Sequence, residues 1–287
     1  MAKTARSLTG KVVVITGGAR GIGAATAVAL VAQGARVAIG DLDEDLTKLA
    51  ATELGGDTLG LHLDVTDHAG FAAFLDEVER ELGPIDVLVN NAGIMPLALL
   101  DEESDQTTAR QVAINLTAVI HGTREAMVRM KPRRTGHIVN IASVAGKVGA
   151  AGGATYSATK HGVVGLCEAV YYELRGTGVE ISCVMPTIVS TELAAGLKQT
   201  RLSSQVAPEA VAAAIVDALQ FPRLEVFVPK YLGGLNRVTR ALPRRFGEWL
   251  LTRSGSDDLL ASAAHSSARS EYERRAAASA PATEGPQ

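Results

Sequence analysis

Tyr156 and Lys160 lie four positions apart in a run with helical spacing, so their side chains share one face. The chemistry open to such a pair is proton transfer. A phenol with an ordinary pKa of about 10 is a poor base at neutral pH. Burial alone would make its anion less favourable still. A neighbouring ammonium works the other way. Bringing the phenol near neutrality needs roughly 4 kcal/mol of differential interaction, within reach of a close cation plus a positively charged cofactor ring. Ser143 stands just past the preceding apolar run, where its hydroxyl would hold a substrate oxygen. By itself a Tyr/Lys pair at this spacing is usually packing and surface. Its meaning depends on what lies beside it.

What lies beside it is a phosphate cradle. The run KVVVITG at 11–17 reads as a buried strand and leads into Gly17, Gly18, Ala19, Arg20, Gly21, Ile22 and Gly23. An Ala-rich helical stretch over 22–33 follows, and then a second strand over 35–41. Glycines let the backbone approach a pyrophosphate without an intervening Cβ, and the helix start offers free N–H groups. Strand, glycine turn, helix and second strand together form the context such a cradle requires. Asp41 ends the second strand, placed to accept hydrogen bonds from ribose hydroxyls and to repel a 2′-phosphate. This favours NAD(H) over NADP(H), although Arg20 is a basic residue beside the glycines. Asp64, ending the third strand, is a candidate for the adenine side.

The elements that must position these groups alternate. Strands are expected at 11–17, 35–41, 57–64, 85–90, 136–142, 179–185 and 224–228. Helices are expected at 22–33, 43–54, 67–82, 104–130, 155–175 and 208–220. Strands that are apolar throughout belong to a parallel sheet covered on both faces. The fold class is therefore α/β: one doubly wound Rossmann domain over 9–229 with seven strands.

Composition fits a folded protein with an aliphatic core, since 47% of the 287 residues are hydrophobic but only 4% aromatic. A net charge of −3 gives no global basic field, so no nucleic-acid partner is expected. The six histidines show no ligand spacing, and no metal site is expected. Cys167 and Cys183 sit in apolar segments and read as reduced core residues. No apolar stretch has signal-peptide or membrane-spanning length, which points to a cytoplasmic protein.

Beyond Pro229, Leu235, Val238, Leu242, Phe246 and Trp249 recur at steps of three and four among arginines. An amphipathic helical extension is expected over 230–253, broken near Pro243. It packs on the domain or a neighbouring subunit, or rests on a membrane surface. From 254 to 287 the Ser/Ala-rich chain is expected to be mostly disordered.

The chain resembles the short-chain dehydrogenase/reductase family from about residue 9 to residue 229. The matching pieces are TGGARGIG at 16–23, LDV at 63–65, NNAG at 90–93, IN at 114–115, IAS at 141–143 and YSATK at 156–160. The resemblance implies hydride transfer between a nicotinamide cofactor and an alcohol or ketone, with Asn115, Ser143, Tyr156 and Lys160 as the catalytic set. Asn115 would hold a water in a proton relay behind Lys160. Val65 and Asn91 would meet the adenosine half, and Val189 and Thr191 the nicotinamide carboxamide. Part of the 90–93 motif would be structural. A homodimer or homotetramer is implied, with the long helices at its interface, and a substrate lid over 190–207. Where the family has Pro-Gly, this chain has Pro186-Thr187. Ile94, Met95, Val148, Leu193 and Leu197, as pocket candidates, favour a lipophilic substrate such as a steroid, retinoid or fatty alcohol. The alternatives are an NADP(H)-dependent reductase, a dehydratase or epimerase, and a non-enzymatic nucleotide sensor or scaffold.

Overall fold

The computed structural model describes residues 4–197, 205–241, 260–264 and 266–279. Seven strands form one parallel sheet: β1 (Val12–Thr16), β2 (Arg36–Asp41), β3 (Leu59–His62), β4 (Val87–Asn90), β5 (Gly136–Ile141), β6 (Val179–Pro186) and β7 (Glu225–Val228). Their order is β3-β2-β1-β4-β5-β6-β7. The helices between them are α1 (Gly21–Val31), α2 (Glu44–Leu54), α3 (His68–Leu82), α4 (Asp105–Val112), α5 (Ala118–Arg133), α6 (Ala154–Glu173) and α7 (Pro208–Gln220), followed by α8 (Tyr231–Ala241).

Residue parity along the strands decides which face each side chain serves. Val12 and Val14 join Phe71, Phe74, Val78, Met130 and Val163 in a core under α3, α5 and α6. Val13 and Ile15 point the other way, to Ala27, Leu30, Ala51, Val211 and Ile215 of α1, α2 and α7. Strand order reverses between β1 and β4, and such a switch point opens a crevice at the carboxyl ends of the strands. Both cysteines are free and buried, with Asn140 Nδ2 donating to Cys167 Sγ at 3.3 Å.

Two features depart from the expected elements. The single helix expected over 104–130 is interrupted by a π-helical turn, Ala113–Thr117, which carries Asn115. The larger departure is at the C-terminal end, where the expected disorder gives way to structure. Residues 260–264 and 266–279 contain a short helix, Ala261–Ala264, a 3-10 turn, Ser267–Arg269, and a helix, Ser270–Ala278. Leu260, Ala263, Arg269, Tyr272 and Ala276 are all buried there. The segment gains its order from tertiary contacts rather than from a strong apolar pattern of its own. The rest of 254–287 lies outside the described residues, as does the extension's second half from residue 242. α8 forms as expected and exposes Tyr231, Leu235 and Val238 along one side.

Candidate active site

A cavity of about 1210 Å³ lies over the carboxyl ends of β1, β2, β4, β5 and β6. Its first half is a backbone cradle. Gly17 and Gly21 adopt φ +63 and +53, values that side chains rarely tolerate. A Cβ on Gly17 would stand 2.9 Å from the Ala92 Cα, and one on Gly23 would collide with the Gly17 carbonyl oxygen. Gly23 does not line the cavity: its task is to let α1 press against the loop. The start of α1 has no side-chain cap and no acid in its first turn, whereas α2, α3 and α4 are capped by Asp43, Asp67 and Ser104. Its free N–H groups and open cradle fit a pyrophosphate.

The residues expected around a dinucleotide sort into wall and support. Gly17, Arg20, Gly21, Ile22, Asp41, Asp64, Val65, Asn91, Val189 and Thr191 all line the cavity. Asp41 Oδ2 accepts from the Ala19 N–H at 3.2 Å, and burial pushes its carboxyl pKa up, partly offset by backbone N–H groups. Asp64 folds back on its own turn, accepting from Thr66 N–H at 2.8 Å and the Thr66 hydroxyl at 2.7 Å. Asn91 serves the loop: its Nδ2 donates to the Thr16 and Gly17 carbonyls, both at 2.9 Å. The preceding Asn90 is buried and donates to Asn140 Oδ1 at 2.8 Å, a sheet support. Arg20 is held by acids, 2.5 Å from Asp43 and 3.9 Å from Glu192.

The second half holds the titratable groups. Tyr156 and Lys160 emerge from the first turns of α6 and both line the cavity. Ser143 lies beside the Tyr156 hydroxyl, and its own Oγ accepts from the Ala145 N–H at 3.1 Å and donates to the Pro186 carbonyl at 3.4 Å. Lys160 Nζ donates to the Ile141 carbonyl at 2.9 Å and lies 5.7 Å from the Tyr156 ring centroid. The expected lowering of the phenol is not what this arrangement produces. Burial dominates and pushes Tyr156 up to about 12, against a smaller opposing pull from Ser143. Burial likewise pushes Lys160 down to about 8.

Asn115 is fully buried behind this pair and does not line the cavity. Its side chain grips Ile94, accepting from the N–H and donating to the carbonyl, both at 2.8 Å. A Cβ on Gly93 would lie 3.2 Å from Asn115 Oδ1 and 3.7 Å from Lys160 Nζ, so the two groups converge behind that glycine. Nothing in the spacing of the sequence pointed to Asn115; the π-helical turn that presents it is a backbone feature common at functional sites.

Thr187 departs from the family's glycine without strain. Its φ is not positive, and its N–H donates to the Val228 carbonyl at 2.9 Å. Residues missed by the sequence reading are Arg269 and Tyr272. The Tyr272 hydroxyl accepts from the Met95 N–H at 2.6 Å, and Arg269 donates to the Leu193 and Met95 carbonyls. Among the described residues no cluster of metal-ligating side chains occurs.

Fold and site together define a doubly wound α/β protein with a phosphate cradle at its switch point and a Ser–Tyr–Lys set beside it. The family model for short chain dehydrogenases matches residues 11–202, and the chain belongs to that family of oxidoreductases. It is 40% identical over 193 residues to momilactone A synthase of Oryza sativa subsp. japonica, covering 66% of this chain and 70% of that one. It is 37% identical over 186 residues to the 3-alpha-(or 20-beta)-hydroxysteroid dehydrogenase of Mycobacterium tuberculosis, covering 65% and 72%. A short-chain dehydrogenase/reductase from Burkholderia phymatum, solved in complex with NAD, superposes with a TM-score of 0.76 at 27% identity, covering 82% of this chain and 95% of that one.

Proposed function

We propose that this protein is an NAD(H)-dependent oxidoreductase that interconverts a lipophilic secondary alcohol and its ketone, with Tyr156 as general acid and base. The observation that carries the reading is that Ser143, Tyr156 and Lys160 line one cavity with the glycine cradle, Lys160 Nζ 5.7 Å from the Tyr156 ring centroid. When bound, the nicotinamide supplies the hydride acceptor or donor and, oxidised, a positive ring. Gly17, Gly21 and the start of α1 hold the pyrophosphate, Asp41 the ribose, Asp64, Val65 and Asn91 the adenosine side, and Val189 and Thr191 the carboxamide. Arg20, already occupied by Asp43 and Glu192, favours a ribose without a 2′-phosphate.

In alcohol oxidation the Tyr156 oxygen takes the hydroxyl proton while Ser143 Oγ holds the same oxygen. In ketone reduction the Tyr156 hydroxyl gives its proton to the carbonyl oxygen. Lys160 stabilises the phenolate electrostatically, and Asn115, anchored on Ile94, holds a water for the relay behind it. Ile94, Met95, Val148, Leu193 and Leu197 all line the cavity, which supports an apolar substrate. The hydroxysteroid dehydrogenase relative supports the same class.

The decisive experiment follows absorbance at 340 nm with a graded series of alcohols. Tyr156→Phe is expected to lower kcat/KM by about 10²–10⁴-fold, the usual worth of acid–base catalysis, with dinucleotide affinity retained. Turnover unchanged by the substitution would remove Tyr156 from the reaction. Dinucleotide binding with no turnover of any alcohol would favour a sensor. A dimer through α5 and α6 is part of the reading, since Val128 and Tyr172 are exposed there. No described helix is long and apolar enough to cross a membrane. A peripheral contact through 230–253 would show as vesicle co-sedimentation.

A further inference from the structure

The C-terminal stretches 260–264 and 266–279, together the C-terminal segment, rest on the cavity at three glycines drawn from two different parts of the chain. A Cβ on Gly152 would stand 2.6 Å from the Ala261 backbone, one on Gly153 2.8 Å from Leu260 Cδ1, and one on Gly196 2.9 Å from Ser266 Oγ. Gly152 and Gly153 immediately precede the helix that presents Tyr156, and Gly196 belongs to the lid. Close backbone approach at these points lets the segment lie flat. It carries Leu260 and Ala263 into one apolar cluster with Met95, Leu97, Tyr156, Ala194 and Leu197. Leu260 and Ser279 both line the cavity.

Arg269 locks this arrangement. Its side chain is only 1% exposed. Nη1 donates to the Leu193 and Ala195 carbonyls at 2.8 and 2.9 Å, Nη2 to the Met95 carbonyl at 2.7 Å, and Nε to Glu273 at 3.0 Å. One planar cation thus joins the lid to the loop that follows β4, and Tyr272 adds the bond from the Met95 N–H. Arg275 reinforces the lid through Glu192 at 2.9 Å. A buried guanidinium is tolerated only with such a set of acceptors, and its removal would strand three carbonyls.

We propose that the stretches 260–264 and 266–279 form the substrate-side wall of the cavity, with Leu260 a specificity-determining residue and Arg269 the positioning residue that holds the wall to the 193–195 stretch and Met95. The proposal rests on the alcohol–ketone reading above and deepens it. The wall is apolar beside Tyr156, so it limits the bulk of an uncharged, apolar substituent at the carbinol carbon. Its close approaches and Arg269's bonds fall on Gly152, Gly153, Gly196, Met95, Leu193 and Ala195, none of them a cradle residue from Gly17 to Gly23, which separates substrate selection from dinucleotide binding.

The test uses the full chain and the series propan-2-ol, cyclohexanol, decan-2-ol and a hydroxysteroid at saturating NAD. Leu260→Ala is expected to raise the bulky-to-small ratio of kcat/KM by about tenfold or more, and Leu260→Phe to lower it, as pocket volume changes of this size do. Both variants should retain dinucleotide affinity. An unchanged ranking in both would overturn the proposal. Arg269→Ala is expected to raise KM more than it lowers kcat, with faster amide exchange at Met95 and Leu97 and at 193–197, and partial rescue by Arg269→Lys. Unchanged exchange at both stretches, or an equal loss of dinucleotide affinity, would overturn Arg269's role. The exchange measurement needs no turnover. It therefore judges the wall even where no alcohol reacts, the outcome that would instead defeat the Tyr156 reading.

Discussion

The two halves of the cavity are made of different material. The cradle half is backbone: Gly17 and Gly21 at positive φ, Gly23 pressed on the Gly17 carbonyl, and Asn91 clamping the loop from below. The substrate half is side chain: Met95, Tyr156, Leu193, Leu197 and Leu260, held by Arg269 from the far end of the chain. Backbone has few ways to make a phosphate site, so the cradle is intolerant of change. Side chains can be exchanged for others of similar volume, so the substrate half can be retuned without loss of the fold.

The sharpest way to break this contrast is a methyl group on the cradle. Gly23→Ala puts a Cβ against the Gly17 carbonyl oxygen, and overpacking of this kind costs about 1–3 kcal/mol. Because the strain is relieved by opening the loop, dinucleotide Kd should rise by up to about 100-fold. The measurement is a binding titration beside a thermal melt. An unchanged Kd would show that the cradle is as adaptable as the opposite wall.

Asp41→Ala tests one side chain within the backbone half. Loss of hydrogen bonds to a charged acceptor costs about 1.5–3 kcal/mol, so NAD affinity should fall roughly 10- to 100-fold. NADP affinity should fall less, or rise, as the repulsive charge goes. Equal losses for both dinucleotides would remove Asp41 from the ribose.

A smaller effect, about tenfold per pH unit, comes from the side-chain half. Burial holds the Tyr156 phenol up at about 12 and Lys160 down at about 8. The sign is set by the proton. Alcohol oxidation needs the phenol deprotonated, so its kcat/KM should rise with pH. Ketone reduction needs the phenol protonated, so its kcat/KM should fall as pH rises through the phenol's titration. Profiles of the same sign in both directions would mean that another group carries the proton.

The same contrast explains what was legible in the sequence. A parallel sheet buried on both faces writes itself as short apolar runs, and all seven strands fall within the runs that announced them, save for one residue at the end of β6. The cradle was legible because its glycines are local: strand, turn and helix occur within about twenty residues. The π-helical turn at Ala113–Thr117 was not, since one extra residue in a helical turn leaves the apolar spacing nearly intact. The C-terminal wall was not legible either. Its sequence is Ser, Ala and Arg with few large apolar residues, and its order depends on carbonyls and glycines far off in sequence, from Ala195, 74 residues from Arg269, to Met95, 174 residues from it. The signals it did leave were Tyr272 and Ala276 at helical spacing and the adjacent Gly152-Gly153 before the catalytic helix.

Thr187 sits on the border between the halves and gives the smallest expected effect. It stands where the family has glycine, beside the residues assigned to the nicotinamide. Glycine is required where φ is positive or where a Cβ would clash, and Thr187 shows no positive φ. Its N–H continues the β6–β7 pairing through the Val228 carbonyl. Thr187→Gly should therefore leave dinucleotide Kd unchanged while costing about 0.5–1 kcal/mol of stability through added freedom in the unfolded chain. A thermal melt and a binding titration check both. A marked tightening of NAD would place Thr187 against the nicotinamide and move the border of the backbone-built half to include the end of β6.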